Sequence, residues 1–406
     1  MDCPEQVDVL VAGAGPAGSA TAALLAGAGY SVVAVDRAEF PREKACAEYL
    51  SPEAVRILDR LGVVAALEQE GAAALEGMKV TGARGATAHG RFAATRYRPY
   101  RPTGLSVSRR VLDLALVRNA RAAGASVLER TSLAELLLER GSVVGALVRD
   151  GSGRRHPIRA RLTVGADGLR SAVARLIGRR THGNPRRMAF VAHLAGVADM
   201  SSSAELHFGP TSYIGLNRIE HDLVNVALVV PSRRASAARG RPAEFFFECL
   251  AEFPGVADRL KPGRVVRSIM ATGPFAVRSR RVVTASSLLV GDAADFYDPV
   301  TGDGIYSALR GAELVAESMI PALAEPGPVD PQALRLYQRL RRQAFAGKWL
   351  MERVTRYLMY FPRLFDRTVS RLGRYDDMAH TAIGVAGGFV PVRELFKPAF
   401  IYRMVF

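Results

Sequence analysis

The chain has 406 residues, 49% of them hydrophobic and 23% charged, which excludes a disordered or low-complexity protein and allows a large core with a second layer or domain. Its net charge of +16 invites a nucleic-acid partner, but the arginines are scattered through apparent helices and loops and form no basic arm. No nucleic acid is therefore expected; an anionic cofactor, an acidic carrier or a membrane surface could use the charge.

Taken in chain order, the apolar run Val7 to Ala12 reads as a strand, the small-residue segment Ala17 to Ala28 as a close-packed helix, and Tyr30 to Val35 as a second strand. The spacing predicts one βαβ unit opening a doubly wound sheet. Val111 to Ala123 reads as a helix, Ala160 to Val164 as a strand ending at Gly165, and Ser287 to Val290 as a strand before a helix from about Gly304 to Leu323. Between about 185 and 270 the pattern changes to short alternating runs such as Glu205 to Phe208 and Leu223 to Val229, expected as antiparallel strands. Ala324 to Pro331 reads as a linker, and from Pro331 the chain is helical and rich in arginine and aromatics. The apolar stretch Phe396 to Phe406 is expected to dock or to meet a partner.

Cys3, Cys46 and Cys249 and the seven histidines show neither metal-ligand spacing nor a disulfide framework, so no metal is expected. A start that runs straight into the first strand and the lack of a long apolar run lead to a cytoplasmic expectation, with peripheral membrane contact left open.

Gly13, Ala14, Gly15, Pro16, Ala17 and Gly18 follow the first strand and open the helix. Gly13 makes the tight turn, Gly15 lets backbone approach a pyrophosphate, and Gly18 allows close helix packing, while the helix N-terminus holds the phosphates. Asp36, with Arg37 beside it, ends the second strand where a carboxylate would accept from a ribose diol. Two further runs decide between dinucleotides. Gly291, Asp292, Ala293 and Ala294 follow an apolar run, and Asp298, Pro299, Val300, Thr301, Gly302, Asp303, Gly304 and Ile305 lead into a helix; Gly165, Ala166, Asp167 and Gly168 form the other.

This set resembles the FAD-dependent p-hydroxybenzoate hydroxylase superfamily. The resemblance implies a Rossmann-like α/β FAD-binding domain with a doubly wound, mainly parallel sheet (1–75, 100–180 and 270–325), an antiparallel β-sheet substrate domain (76–99 and 181–269) and a C-terminal helical region (326–406). It implies FAD and NAD(P)H as cofactors, Asp292 at the ribityl chain, Gly302 and Gly304 beside the ring, Asp167 near FAD and its donor, and Arg109 at the flavin, unless Arg109 is an exposed helix-start residue. The run from Pro41 to Pro52, with Lys44, Cys46 and Glu48, is similar to the geranylgeranyl reductase branch, whose Lys-x-Cys-Gly-Glu-x-Leu-x-Pro segment borders the flavin; Ala47 stands in place of its glycine. Cys46 then lines the active site or is a small buried hydrophobe. Of that branch's substrate motif only Tyr213 and Asn225 survive, either as pocket residues or as ordinary sheet residues.

Two activities follow as expectations. The first is an NAD(P)H-using monooxygenase hydroxylating an apolar, phenolic or polyketide-type small molecule, and the alternative is reduction of isoprenoid C=C bonds. Cys46, Tyr213 and Asn225 are the catalytic candidates in either case, acting on an apolar or amphipathic substrate.

Overall fold

The computed structural model describes residues 3–184 and 186–406. The strand β1 (Gln6–Ala12) is followed by α1 (Pro16–Gly27) and by β2 (Val32–Val35), which pairs with β1 in parallel. Both strands are buried on both faces, which accounts for continuous apolar runs in place of alternation. Helix α1 is made of small residues because it is pressed against the turn that precedes it. A Cβ on Gly18 would stand 1.8 Å from the Gly13 carbonyl oxygen.

The sheet is completed by β3 (Ser126–Leu128), β4 (Arg155–Gly165) and β5 (Ser287–Leu289), in the parallel order β5, β4, β1, β2, β3. Helix α2 (Arg109–Ala122) lies against α1. The N-terminal half of β4 carries an antiparallel hairpin, Ser132–Glu139 and Ser142–Arg149. In such sheets ligands gather beyond the carboxyl ends of the strands, and β1, β4 and β5 all end on glycine-bearing turns there.

A second sheet faces those ends. Its central strands lie side by side in the order Arg187–Ala195, Val224–Pro231, Tyr213–Arg218 and Ser203–Phe208, each antiparallel to the next. Gly77–Thr81 joins Ser203–Phe208 in parallel. Strand alternation divides the side chains cleanly: Phe190, Ala192, Leu194, Val226 and Leu228 enter a core on the far side, while Ala189, Val191, Ala227 and Val229 face the first sheet.

The expectation of short strands throughout 185–270 needs a correction. Helices Pro242–Leu250 and Pro254–Leu260 lie within it and cover the far face through Phe245, Phe246, Cys249, Leu250 and Phe253. Phe245, Phe246, Cys249 and Leu250 have the i, i+1, i+4, i+5 spacing of a helical stripe, a cue overridden by the neighbouring β pattern.

Helix α3 (Gly304–Ala324) packs on α1, and after a short connection come α4 (Pro331–Met359), α5 (Pro362–Arg374), Asp376–Ala386 and α6 (Pro398–Val405). Helix α6 rests on α5, yet none of its residues is buried. Among the described residues no helix is long and apolar enough to cross a membrane.

The Gly18 contact gives the fold's sharpest sequence requirement. Gly18→Ala should cost about 1–3 kcal/mol in urea unfolding and lower cofactor content. Gly27→Ala, whose Cβ would meet no heavy atom within 4 Å, should be neutral or slightly stabilising.

Candidate active site

Between the strand ends and the inner face of the second sheet lies a cavity of about 1450 Å³, counted with its open mouth. Its first half is lined by Gly15, Pro16 and Ala17 from the start of α1, by Lys44 and Cys46, by Arg109, and by Asp292, Pro299, Gly302, Asp303, Gly304 and Ile305. Turns far apart in the chain therefore share one space. Gly302, at φ 69°, closes the short turn that presents α3 to the cavity.

The same half is strongly cationic. Arg109 is buried, 5% exposed, and its Nε and Nη2 each donate to Asp113 at 2.9 Å, which corrects the reading of an exposed helix-start arginine. Arg42 reaches the same carboxylate at 3.0 Å. Lys44 lines the cavity; burial first and then Arg109 push its pKa down, while Asp292 pulls it up. Burial raises the Asp292 carboxyl against the pull of Lys44.

These residues fit an anionic dinucleotide. Helix α1 begins without a side-chain cap, leaving its first N–H groups for an acceptor, and the Gly15 Cβ position is bordered only by the guanidinium groups of Arg42 and Arg109, at 3.4 and 3.7 Å.

The second half is mostly apolar, with Ala189, Val191, Leu206, Val229, Phe275 and Phe296. Tyr213 lines it, but its hydroxyl donates to Asp298, which also pairs with Arg187 at 2.8 Å. Burial, then Asp298, hold the Tyr213 hydroxyl well above its ordinary pKa. Glu205 accepts from His207 and Arg259; although burial opposes it, these partners lower its carboxyl to about 2.

Several expected site residues stand outside the cavity lining. Asn225 donates from Nδ2 to the carbonyls of Cys46 (3.2 Å) and Ala47 (2.8 Å), so it holds the loop that carries Cys46. Asp36 accepts from the N–H groups of Ala14 (2.8 Å) and Ala38 (2.9 Å), fixing the glycine turn, and Arg37 is exposed beside it. Asp167 accepts from Ala172 and Val173 N–H, and its Oδ1 has no partner. Gly13, Gly18 and Gly291 shape turns behind the lining, with Gly13 at φ 99° and Gly291 at φ 60°.

Glu48 was not among the expected site residues, although its place in the Lys44 to Pro52 run pointed to it. It lines the cavity, is fully buried, and takes φ 57°, a left-handed backbone that strains a non-glycine residue. Glu48 Oε2 is 2.7 Å from His193 Nε2, Oε1 accepts from Arg109 N–H at 3.0 Å, and its own N–H donates to Cys46 Sγ at 3.3 Å. His193, on a strand of the second sheet, offered no sequence signal. Burial raises both the Glu48 carboxyl and the Cys46 thiol.

The FAD-binding domain family matches residues 6–351. The menaquinone reductase of Mycolicibacterium smegmatis is 28% identical, over 98% of this chain and 95% of its own length. Digeranylgeranylglycerophospholipid reductase 1 of Methanothermobacter thermautotrophicus is 29% identical, over 97% and 94%. Among solved structures, the flavin-dependent brominase Bmp2 superposes with a TM-score of 0.83 at 21% identity, covering 98% of both chains, which speaks for the fold.

Removing the enclosed cation tests the fit. Lys44→Met should weaken FAD binding about tenfold or more in a fluorescence titration, with the unfolding midpoint of the apoprotein unchanged or raised, since a desolvated charge is removed.

Proposed function

Because this chain belongs to the FAD-binding domain family and is an FAD-dependent oxidoreductase, we propose that it reduces C=C bonds in the apolar, isoprenoid-type chain of a lipid or quinone, using electrons from NAD(P)H. The observation that carries this reading is the placement of the Cys46 thiol, whose pKa burial pushes up, on an apolar half-cavity whose carboxylates Glu48, Glu205 and Asp298 are each engaged. Glu48 is shared between His193 and Arg109 N–H, Glu205 between His207 and Arg259, and Asp298 between Arg187 and Tyr213. Such a site lacks a free base to ionise a phenol but holds a proton to deliver. Two relatives that match almost end to end, and carry the names of reductases, support the same choice.

Bound and reduced, FAD supplies the hydride. The chain's residues handle the rest. The apolar wall of Ala189, Val191, Leu206 and Val229 holds the alkene and excludes water. Cys46 delivers a proton from Sγ to the second carbon and regains one from solvent through the open mouth once product has left, while the Glu48 and His193 pair fixes the loop that carries the thiol. Asn225 positions that loop by its two carbonyls, and Tyr213, tied to Asp298, positions the wall opposite. The enzyme works at the cytoplasmic side, drawing its substrate from a membrane surface.

One observation favours the second reading, oxygenation of an apolar or phenolic small molecule. The Tyr213–Arg218 strand has Gly215 and Asn217 facing the cavity, where the isoprenoid-reducing branch has large aromatics, so the wall there is open and more polar.

Anaerobic turnover separates the two. With NAD(P)H and an isoprenoid quinone or lipid, oxidation of the donor should continue without oxygen and saturate the alkene; a halt after one flavin reduction would overturn the reductase reading. Cys46→Ala should lower kcat about 10²-fold or more, with FAD still bound and KM little changed. Because burial raises the thiol's pKa, the proton-bearing form is fully present at neutral pH and is lost only as pH rises through that raised value. The wild-type rate should hold through neutral pH and fall only above the ordinary thiol range, and the residual rate of the variant should lack that alkaline limb.

A further inference from the structure

The largest feature left unused by the site is the outer face formed by the end of α4, by α5 and by α6. Among the described residues, ten of the fifteen exposed large hydrophobics fall between 350 and 406, so the apolar surface is gathered in one region. Tyr357, Tyr360, Phe361 and Leu364 are 45–61% exposed around the corner between α4 and α5. Tyr402 and Phe406 are 65% and 72% exposed on the neighbouring α6 and just beyond it. Tyr357 and Phe361 lie in tilted contact with ring centroids 5.1 Å apart, and Tyr402 and Phe406 at 5.2 Å, so these aromatics form exposed pairs.

Along the end of α4 and through α5 the charges are almost all of one sign. From Arg353 to Arg374 the sequence has six arginines and one carboxylate, Asp366, which is buried and accepts from Arg84 N–H. The ion pairs from 348 onward are those of Lys348 with Asp303 and Glu352, of Glu394 with Arg96 and Lys397, and of Arg403 with Asp377. Among the described residues the arginines of α5 thus form no ion pair beside this apolar face. The inner side of the same corner, Leu358, Met359 and Phe365, belongs to the apolar cluster that contains Tyr213, Val229 and Val300 of the cavity wall. One layer of side chains separates the face from the substrate half of the site.

We propose that this corner and α6 are the surface by which the protein docks on an anionic lipid bilayer, with the aromatics seated at the headgroup level and the arginines against anionic headgroups. Aromatic and aliphatic residues flanked by cations are what an interfacial helix needs, and the arrangement delivers an apolar substrate to the cavity without passage through water. A second copy of the chain would meet this face with the same uncompensated arginines, which argues against self-association. The delivery role rests on the apolar substrate proposed above; binding itself is measured without turnover, so either idea can fail alone.

The test uses the full chain with FAD bound, sedimented with vesicles of phosphatidylglycerol and phosphatidylcholine or of phosphatidylcholine alone. Binding should be confined largely to the anionic vesicles and weaken in 0.5 M salt. The triple variant Tyr357→Ser, Phe361→Ser, Leu364→Ser and the variant Arg363→Gln, Arg371→Gln, Arg374→Gln should each lose tenfold or more in affinity while keeping FAD and eluting as the wild type does. Failure to bind anionic vesicles, equal binding to neutral ones, variants that bind as well as wild type, or a stable dimer that dissociates when Phe361 and Leu364 are changed would overturn it.

Discussion

Three cations held inside one fold, with a single complete carboxylate between two of them, set the terms for everything around the site. Asp113 is shared by Arg42 and Arg109, which leaves Lys44 in the enclosed space with Asp292 as its counter-charge. Charges kept out of water at close range cost several kcal/mol unless something compensates them. An anionic dinucleotide supplies that compensation, and the uncapped start of α1 faces the same space.

The second sheet has the complementary task of bringing an apolar wall close to that charged half. Its alternation commits one face to a core beneath the two covering helices and leaves the other for the cavity. The link between the halves is polar. Glu48, from the cofactor side, reaches His193, and Asn225 reaches the carbonyls of Cys46 and Ala47. These bonds pin the Cys46 loop from both sides and account for the persistence of a strained backbone at Glu48, which the surrounding contacts over-determine.

The parts of this arrangement that could be read in the sequence are those in which backbone geometry restricts residue choice. Gly13 and Gly18 are legible because no side chain fits there, and the strands β1 and β2 because burial on both faces demands unbroken apolar runs. The parts that could not be read depend on distance along the chain. Glu48 and His193 are 145 positions apart and meet only through the packing of two sheets. Asp36 and Asp167 look like ligand-binding acids from their position, yet much of their hydrogen bonding is spent on N–H groups of the protein. The helices between 242 and 260 were hidden by the strands on either side, and the exposure of the C-terminal aromatics depends on which face of α5 the second sheet covers.

Reduction of an alkene adds hydrogen to the substrate and no oxygen. Mass spectrometry of the product formed in air, from an isoprenoid quinone or lipid with NAD(P)H, tests this most directly. The expected product is heavier than the substrate by two hydrogens for each bond reduced. A product that has gained an oxygen atom would contradict the reductase reading.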